Sequence, residues 1–150
     1  MKKVYVNEER CLGCHLCEFY CSFAGGGETD MAKAFKLGRV VAPRVRIEES
    51  KDIYFAVQCR HCEDPLCVKS CIAGALTKKN GMVEIDKAKC VGCYTCVLVC
   101  PYGCIAPDKK SGGKTVTKCE LCLNSAAGEP ACVKGCPNKA IVYEERGEQL

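Results

Sequence analysis

The same arrangement of cysteines occurs four times in 150 residues, and it restricts what the interior can be made of. Group one is Cys11-x2-Cys14-x2-Cys17-x3-Cys21, and group three repeats it as Cys90-x2-Cys93-x2-Cys96-x3-Cys100, followed by Pro101. Group two, Cys59-x2-Cys62-x4-Cys67-x3-Cys71, and group four, Cys119-x2-Cys122-x9-Cys132-x3-Cys136 with Pro137 behind it, stretch the middle spacing. In every group the last cysteine stands four residues after the third. A repeat of this kind marks a repeated structural unit. It uses all of the 17 cysteines except Cys104.

Cysteine at this density means disulfides or metal. The segment Met1-Lys2-Lys3-Val4-Tyr5-Val6-Asn7 has no apolar core of a signal peptide. No stretch approaches the roughly 18 uninterrupted apolar residues of a membrane span. The expected location is therefore cytoplasmic, where thiols stay reduced and metal is favoured. With no Trp and only 4 Phe, the usual large core side chains are scarce, so something else must fill the interior. The formal charge of +4 counts every cysteine as neutral. An oxidised 4Fe–4S core with four thiolates carries about two negative charges, so four of them would make the loaded protein about −4. A nucleic-acid role is rejected on that ground.

The spacing separates the metals. A tight Cys-x2-Cys-x2-Cys loop curls round one face of a cubane, putting three sulfurs on three irons, while its N–H groups point at the cluster. The run ending in x3-Cys-Pro is that of bacterial ferredoxins, whose fourth cysteine serves the other cluster of a pair. One helical turn beyond the loop, that side chain faces away from the site its neighbours make. Structural zinc usually takes two separated cysteine pairs, and a third cysteine in the same loop is surplus to it. Zinc remains the competing reading and a disulfide scaffold a more distant one.

Between the groups the signals are short. Asn80-Gly81 between Leu76–Lys79 and Met82–Ile85 predicts a type I′ hairpin. Val4–Val6 and Ala140–Tyr143 are candidate outer strands that could pair with each other. The insertion opens on Gly25-Gly26-Gly27, and the alternation in Arg39–Ile47 around Pro43 predicts two short strands. Lys109–Lys114 reads as a solvated turn. Asp64-Pro65 reads as an N-cap with Pro at the first helical position, and Glu129-Pro130 repeats the placement. Short helices of at most about three turns are expected there and in the other two groups.

On the stretches CLGCHLCEFYC, CRHCEDPLCVKSC, CVGCYTCVLVCPYG, and KCELC with GEPACVKGCP, the chain resembles the four-cluster iron–sulfur subunits of dimethyl-sulfoxide reductase, formate dehydrogenase and formate hydrogenlyase. Its compact form is similar to the ferredoxin-like partners of carbon monoxide dehydrogenase and tungsten aldehyde oxidoreductase. The resemblance runs from Cys11 to Pro137. It implies an α+β fold of two nested bacterial-ferredoxin-like dicluster units: an outer one from about 1–24 and 115–150, an inner one over about 53–106, and an insertion over about 25–52. It implies four 4Fe–4S clusters held by crossed ligands. The first set is Cys11, Cys14, Cys17 and Cys136; the second is Cys119, Cys122, Cys132 and Cys21. The third is Cys59, Cys62, Cys67 and Cys100; the fourth is Cys90, Cys93, Cys96 and Cys71. The chain departs from the pattern in having no Pro after Cys21 or Cys71 and no membrane-anchor helix.

The remaining residues have plain readings. Cys104 is expected as a small buried side chain. His15 and His61, inside cluster loops, are expected beside the ligands or at the surface. Leu12, Leu16, Val91, Val97, Leu98, Val99 and Leu121 are expected to pack on the clusters and limit solvent access. Lys33, Lys36, Arg39, Arg44 and Arg46 make a basic insertion, read as a solvated face, with docking to an acidic partner as the alternative. No nucleophile–base set or dinucleotide-binding glycine motif is present. The expectation is a non-catalytic electron-transfer subunit working with an oxidoreductase of the carbon monoxide dehydrogenase, aldehyde oxidoreductase, formate dehydrogenase or hydrogenase type. A free-standing or filament-forming polyferredoxin, exchanging electrons with a soluble ferredoxin or with its own copies, is the alternative.

Overall fold

The computed structural model describes residues 1–123 and 129–146, so most of the spacer between Cys122 and Cys132 lies outside the described residues. In chain order the elements are β1 (Lys3–Val6), α1 (Leu16–Ala24), α2 (Met31–Lys36), β2 (Val45–Ser50), β3 (Ile53–Gln58), α3 (Leu66–Lys69), β4 (Leu76–Lys79), β5 (Met82–Ile85), α4 (Thr95–Val99), β6 (Ile105–Pro107), β7 (Val116–Lys118), α5 (Ala131–Lys134) and β8 (Ile141–Glu144). The result is α+β, with four separate two-stranded antiparallel sheets: β1–β8, β2–β3, β4–β5 and β6–β7. Among the described residues no helix is long and apolar enough to cross a membrane.

The chain divides into two units. One comprises Cys59–Glu120 with Met1; the other comprises Lys2–Gln58 and Leu121–Leu150, and so includes the insertion. In the first, β4 and β5 pair from Leu76↔Ile85 to Lys79↔Met82. Both turn residues are left-handed, Asn80 at φ 49° and Gly81 at φ 78°, as a type I′ turn requires. The core beneath is small: Leu76, Val83, Ile105 and Val116 gather around Cys96, and Cys67, Cys71, Cys90 and Cys100 pack against them. Sulfur takes the place of the missing aromatics.

In the second unit the outer strands pair, Val4 opposite Tyr143 and Val6 opposite Ile141. The insertion departs from expectation. Residues 39–44 form no strand, and the single strand β2 starts only at Val45, beyond Pro43. Its partner is β3, joined through Lys51-Asp52 with Lys51 at φ 55°. Pro43 lacks the N–H that a ladder needs, and the turn carries none of the Asn-Gly chemistry that advertises a hairpin. Helix α2 was not signalled by any apolar period. It is set by Asp30, whose carboxylate accepts the Lys33 N–H at 2.8 Å, and by Ala34, wholly buried. The glycine run closes α1: the Gly25 N–H reaches the Cys21 carbonyl, and a Cβ on Gly26 would overlap the Arg39 carbonyl.

The prolines sit one place earlier than expected. Pro65 and Pro130 are themselves the N-caps of α3 and α5, in non-helical conformation at ψ 105° and 126°. Asp64 is freed from capping and pairs with Lys69. Cys67 lies within α3, with Cys71 one residue past its C-cap, and Cys132 and Cys136 are placed likewise around α5.

Candidate metal centres

Each cysteine loop bends through the same backbone conformation. The residue before the second cysteine is left-handed in all four: Gly13 at φ 64°, His61 at 46°, Gly92 at 69° and Leu121 at 54°. In groups one and three the residue after that cysteine is left-handed too, His15 at 59° and Tyr94 at 58°. Such reversals turn successive N–H groups to one side and make a concavity for anions, a device common at iron–sulfur sites. For His61 and Leu121 the conformation costs about 1–2 kcal/mol each, which the surroundings must hold in place. His61 is buried and its Nδ1 accepts the Val83 N–H at 3.0 Å; Leu121 is 2% exposed.

In the second unit, Cys11, Cys14, Cys17 and Cys136 line one hollow of about 350 Å³, counted out to where it meets solvent. Cys17 reaches it from the first turn of α1 and Cys136 from beyond α5. The two helices approach closely because Gly135 has no side chain; a Cβ there would fall inside the Tyr20 ring. Burial pushes the Cys17 thiol up to about 12, and the Glu18 carboxylate adds to it. Cys21 is also pushed up, first by burial, while Arg44 donates its N–H to Cys21 Sγ at 3.2 Å; Cys122 is among the charges that act on it. Cys132 is buried. Cys119 belongs to the residues of the first unit.

In that first unit, Cys71, Cys90, Cys93 and Cys96 line a second hollow of about 350 Å³. Burial raises Cys96, and Cys71, Cys90 and Cys93 act on it next. Cys93 is lowered by a hydrogen bond from the Thr95 hydroxyl. Burial raises Cys67 to about 11, followed by Cys59 and Cys100; Cys59 is raised by burial, with Cys62 and Cys100 adding to it. Buried thiols at neutral pH hold their protons, so metal must displace them.

Two of the fourth cysteines, those followed by proline, share a donor arrangement that spacing alone does not reveal. Cys100 Sγ accepts the N–H of Cys104 at 3.4 Å, and Cys136 Sγ accepts that of Ala140 at 3.2 Å, each four residues on. Cys104 thus serves through its backbone. It is half-buried rather than buried, and its own thiol donates to the Tyr102 carbonyl. His15 is exposed at the start of α1 beside Glu18. The apolar shell is uneven. Leu121 is buried and Val97 packs on the core, but Leu12 and Val91, though they line the hollows, are each 66% exposed, and Leu16 is exposed as well, against expectation. Leu98, 85% exposed, points to solvent against expectation, because α4 is a single turn with only one covered side. In the basic insertion, Arg39 pairs with Glu28 and Arg46 with Glu48.

The donor set fits an iron–sulfur cubane better than a single ion. In each unit four thiols surround one hollow, three of them from a single tight loop. Thiols on anion-binding loops around such hollows define an iron–sulfur protein. The sequence model described as the 4Fe-4S dicluster domain matches residues 50–146, and the chain belongs to that family. It is 36% identical to an iron-sulfur protein of Rhodospirillum rubrum, over 92% of this chain and 79% of that one. It is 31% identical to the electron transport protein HydN of Escherichia coli, over 98% and 91%. It is 33% identical to the probable anaerobic dimethyl sulfoxide reductase chain YnfG of Escherichia coli, over 93% and 71%.

Proposed function

We propose that the chain is an electron-transfer subunit that carries single electrons through four 4Fe–4S clusters to or from a catalytic oxidoreductase partner. The observation that carries this reading is the pair of four-cysteine hollows, each combining one tight loop with the last cysteine of another group. When bound, the clusters supply one-electron redox chemistry at sites the chain keeps apart. The four ligand sets are those assigned above: Cys11, Cys14, Cys17 and Cys136; Cys21, Cys119, Cys122 and Cys132; Cys59, Cys62, Cys67 and Cys100; Cys71, Cys90, Cys93 and Cys96. In this reading the protein's own part is to fix spacing, to aim N–H groups at sulfur and to keep water off the buried thiolates. It converts no substrate by itself. The partner is a separate catalytic chain, in keeping with a relative whose name makes it one chain of a reductase.

The test is anaerobic purification of the full chain with iron and acid-labile sulfide analysis. About sixteen iron atoms and as many sulfides per chain are expected. A colourless protein, or one carrying zinc without sulfide, would falsify the reading. Native pull-down under the same conditions then separates a dedicated subunit, which brings a large catalytic chain with it, from a free-standing polyferredoxin, which does not.

A further inference from the structure

Helix α1 does not stop at its last cysteine. Ser22 rather than proline follows Cys21, and the helix runs on to Ala24. The N–H four residues on, that of Gly25, is therefore taken up by the Cys21 carbonyl, at 3.2 Å. At Cys100 and Cys136 the helix has already ended and proline follows, and there the equivalent N–H turns to the sulfur instead. Cys21 Sγ takes its donor from a distance: the N–H of Arg44, 23 residues along the chain, at 3.2 Å.

That donor is held by a run of contacts along α1. A Cβ on Gly26 would overlap the Arg39 carbonyl, and one on Gly25 the Val41 side chain. The Val41 N–H donates to the Ser22 carbonyl at 3.2 Å. Beyond Arg44, the Ile47 N–H donates to one oxygen of the Glu18 carboxylate at 2.6 Å, and the other oxygen lies 3.0 Å from His15 Nδ1. Ile47 also walls the hollow of Cys11, Cys14, Cys17 and Cys136. Residues 39–47 thus run antiparallel to α1, meeting Gly26 first and Glu18 last, with Arg44 opposite Cys21 between them. Neither end of the segment is fixed by a cysteine.

We propose that residues 39–47 are a strap that completes the surroundings of the Cys21 ligand: Arg44 supplies the sulfur with the N–H that the continuing helix takes up, and Glu18, a positioning residue, sets the register in which it does so. A hydrogen bond to a ligand sulfur favours the more negative, reduced state of the cluster which that ligand serves. The Glu18 carboxylate acts on Cys21 only through the strap. The inference rests on the proposed electron-transfer function and gives the insertion a part that the cysteine pattern does not contain.

The experiment is a potentiometric titration of the anaerobically purified full chain followed by electron paramagnetic resonance, in wild type and in Arg44→Ala, Arg44→Pro, Glu18→Gln and Glu18→Ala. The signal of the cluster that Cys21 serves is assigned by its loss in Cys21→Ser. Arg44→Pro removes the N–H and should weaken reduction of that cluster about threefold relative to Arg44→Ala, which keeps it; that is about 28 mV for a one-electron couple. Glu18→Gln and Glu18→Ala remove the same charge, but only Gln keeps an oxygen for the Ile47 N–H. The Cys21 signal should therefore titrate lower in Glu18→Ala than in Glu18→Gln. Loss of that one cluster from Arg44→Pro and Glu18→Ala, but not from Arg44→Ala and Glu18→Gln, is the same requirement in a severer form. A loaded Arg44→Pro with the midpoint of Arg44→Ala overturns the proposal, and so do equal midpoints in the two Glu18 variants. Loss of every cluster from Arg44→Pro and Glu18→Ala overturns it too, since the strap would then serve the fold at large rather than one ligand. Wild-type protein without iron and sulfide would instead sink the electron-transfer reading itself.

Discussion

The hollow around Cys11, Cys14, Cys17 and Cys136 and the hollow around Cys71, Cys90, Cys93 and Cys96 are the same device in different surroundings. Both have about 350 Å³ of space, a Cys-x2-Cys-x2-Cys loop, and left-handed residues at equivalent places, Gly13 and His15 in one and Gly92 and Tyr94 in the other. The first is edged by Arg10, His15 and Asn138. The second carries no charged residue, and its Tyr94 hydroxyl is engaged by the Gly113 carbonyl. Ligand geometry is therefore set by the loop, which is local, and the dielectric around it by whatever the fold lays alongside. Two sites with identical ligands can thus hold electrons differently.

The largest effect should come from breaking one hollow without the other. Cys11→Ser and Cys136→Ser should each remove about four iron atoms, and the double variant no more than either alone. Cys11→Ser with Cys71→Ser should remove about eight. Additive losses from Cys11 and Cys136 would mean that they do not share a site. Iron analysis of the four proteins decides it.

Next come the glycines. At Gly92 an added Cβ would lie 2.6 Å from the Lys114 carbonyl, a backbone atom that cannot step aside, whereas at Gly13 it would meet the Tyr54 ring, which can swing. Left-handed strain acts at both. Gly92→Ala should cost about 3 kcal/mol and Gly13→Ala about 1–2 kcal/mol, read from denaturant midpoints of the loaded protein. Equal costs would place the two loops in equally yielding surroundings.

Smaller again is the effect of Arg10. Replacing it with Gln should weaken reduction of the Cys11 site about threefold, and less so at high salt, because Arg10 is exposed and screened. The potential of the Cys90 site should not move. A change in both would show that the charge acts on the chain at large.

The slightest effect concerns the cluster-free chain. The Cys17 thiol is raised from an ordinary 9.0 to about 12, and Cys96 is raised less far, both chiefly by burial. The folded state therefore keeps protons that the unfolded chain gives up. The stabilisation is fully present below pH 9 and is lost as pH rises toward 12. Urea midpoints should fall across that window, and Cys17→Ser should flatten the fall more than Cys96→Ser. A midpoint rising with pH would contradict the assigned burial.

Much of this was legible because it is local. Cysteine spacing specifies a tight loop, Asn80-Gly81 specifies a turn, and the short apolar stretches Val4–Val6 and Ala140–Tyr143 specify outer strands that the structure pairs. The signals that failed were those whose partners are distant. Nothing near Lys51 announces the β2–β3 hairpin, and Pro65 and Pro130 are as acceptable at an N-cap as one residue later. Leu98 looks like cluster packing until α4 proves too short to cover both of its sides.

By itself, then, the order of residues determined the pattern of thiols: sixteen in four groups, two of which bring three into seven residues, a grip suited to an iron–sulfur cubane. Only the tertiary structure decided the environment of each grip. It laid Arg10 and Asn138 beside one loop and Leu76 and Val116 beside another, and put the insertion in the unit that holds group one with Cys122, Cys132 and Cys136. Charge and exclusion of water act through space rather than along the chain, and no spacing of cysteines encodes them.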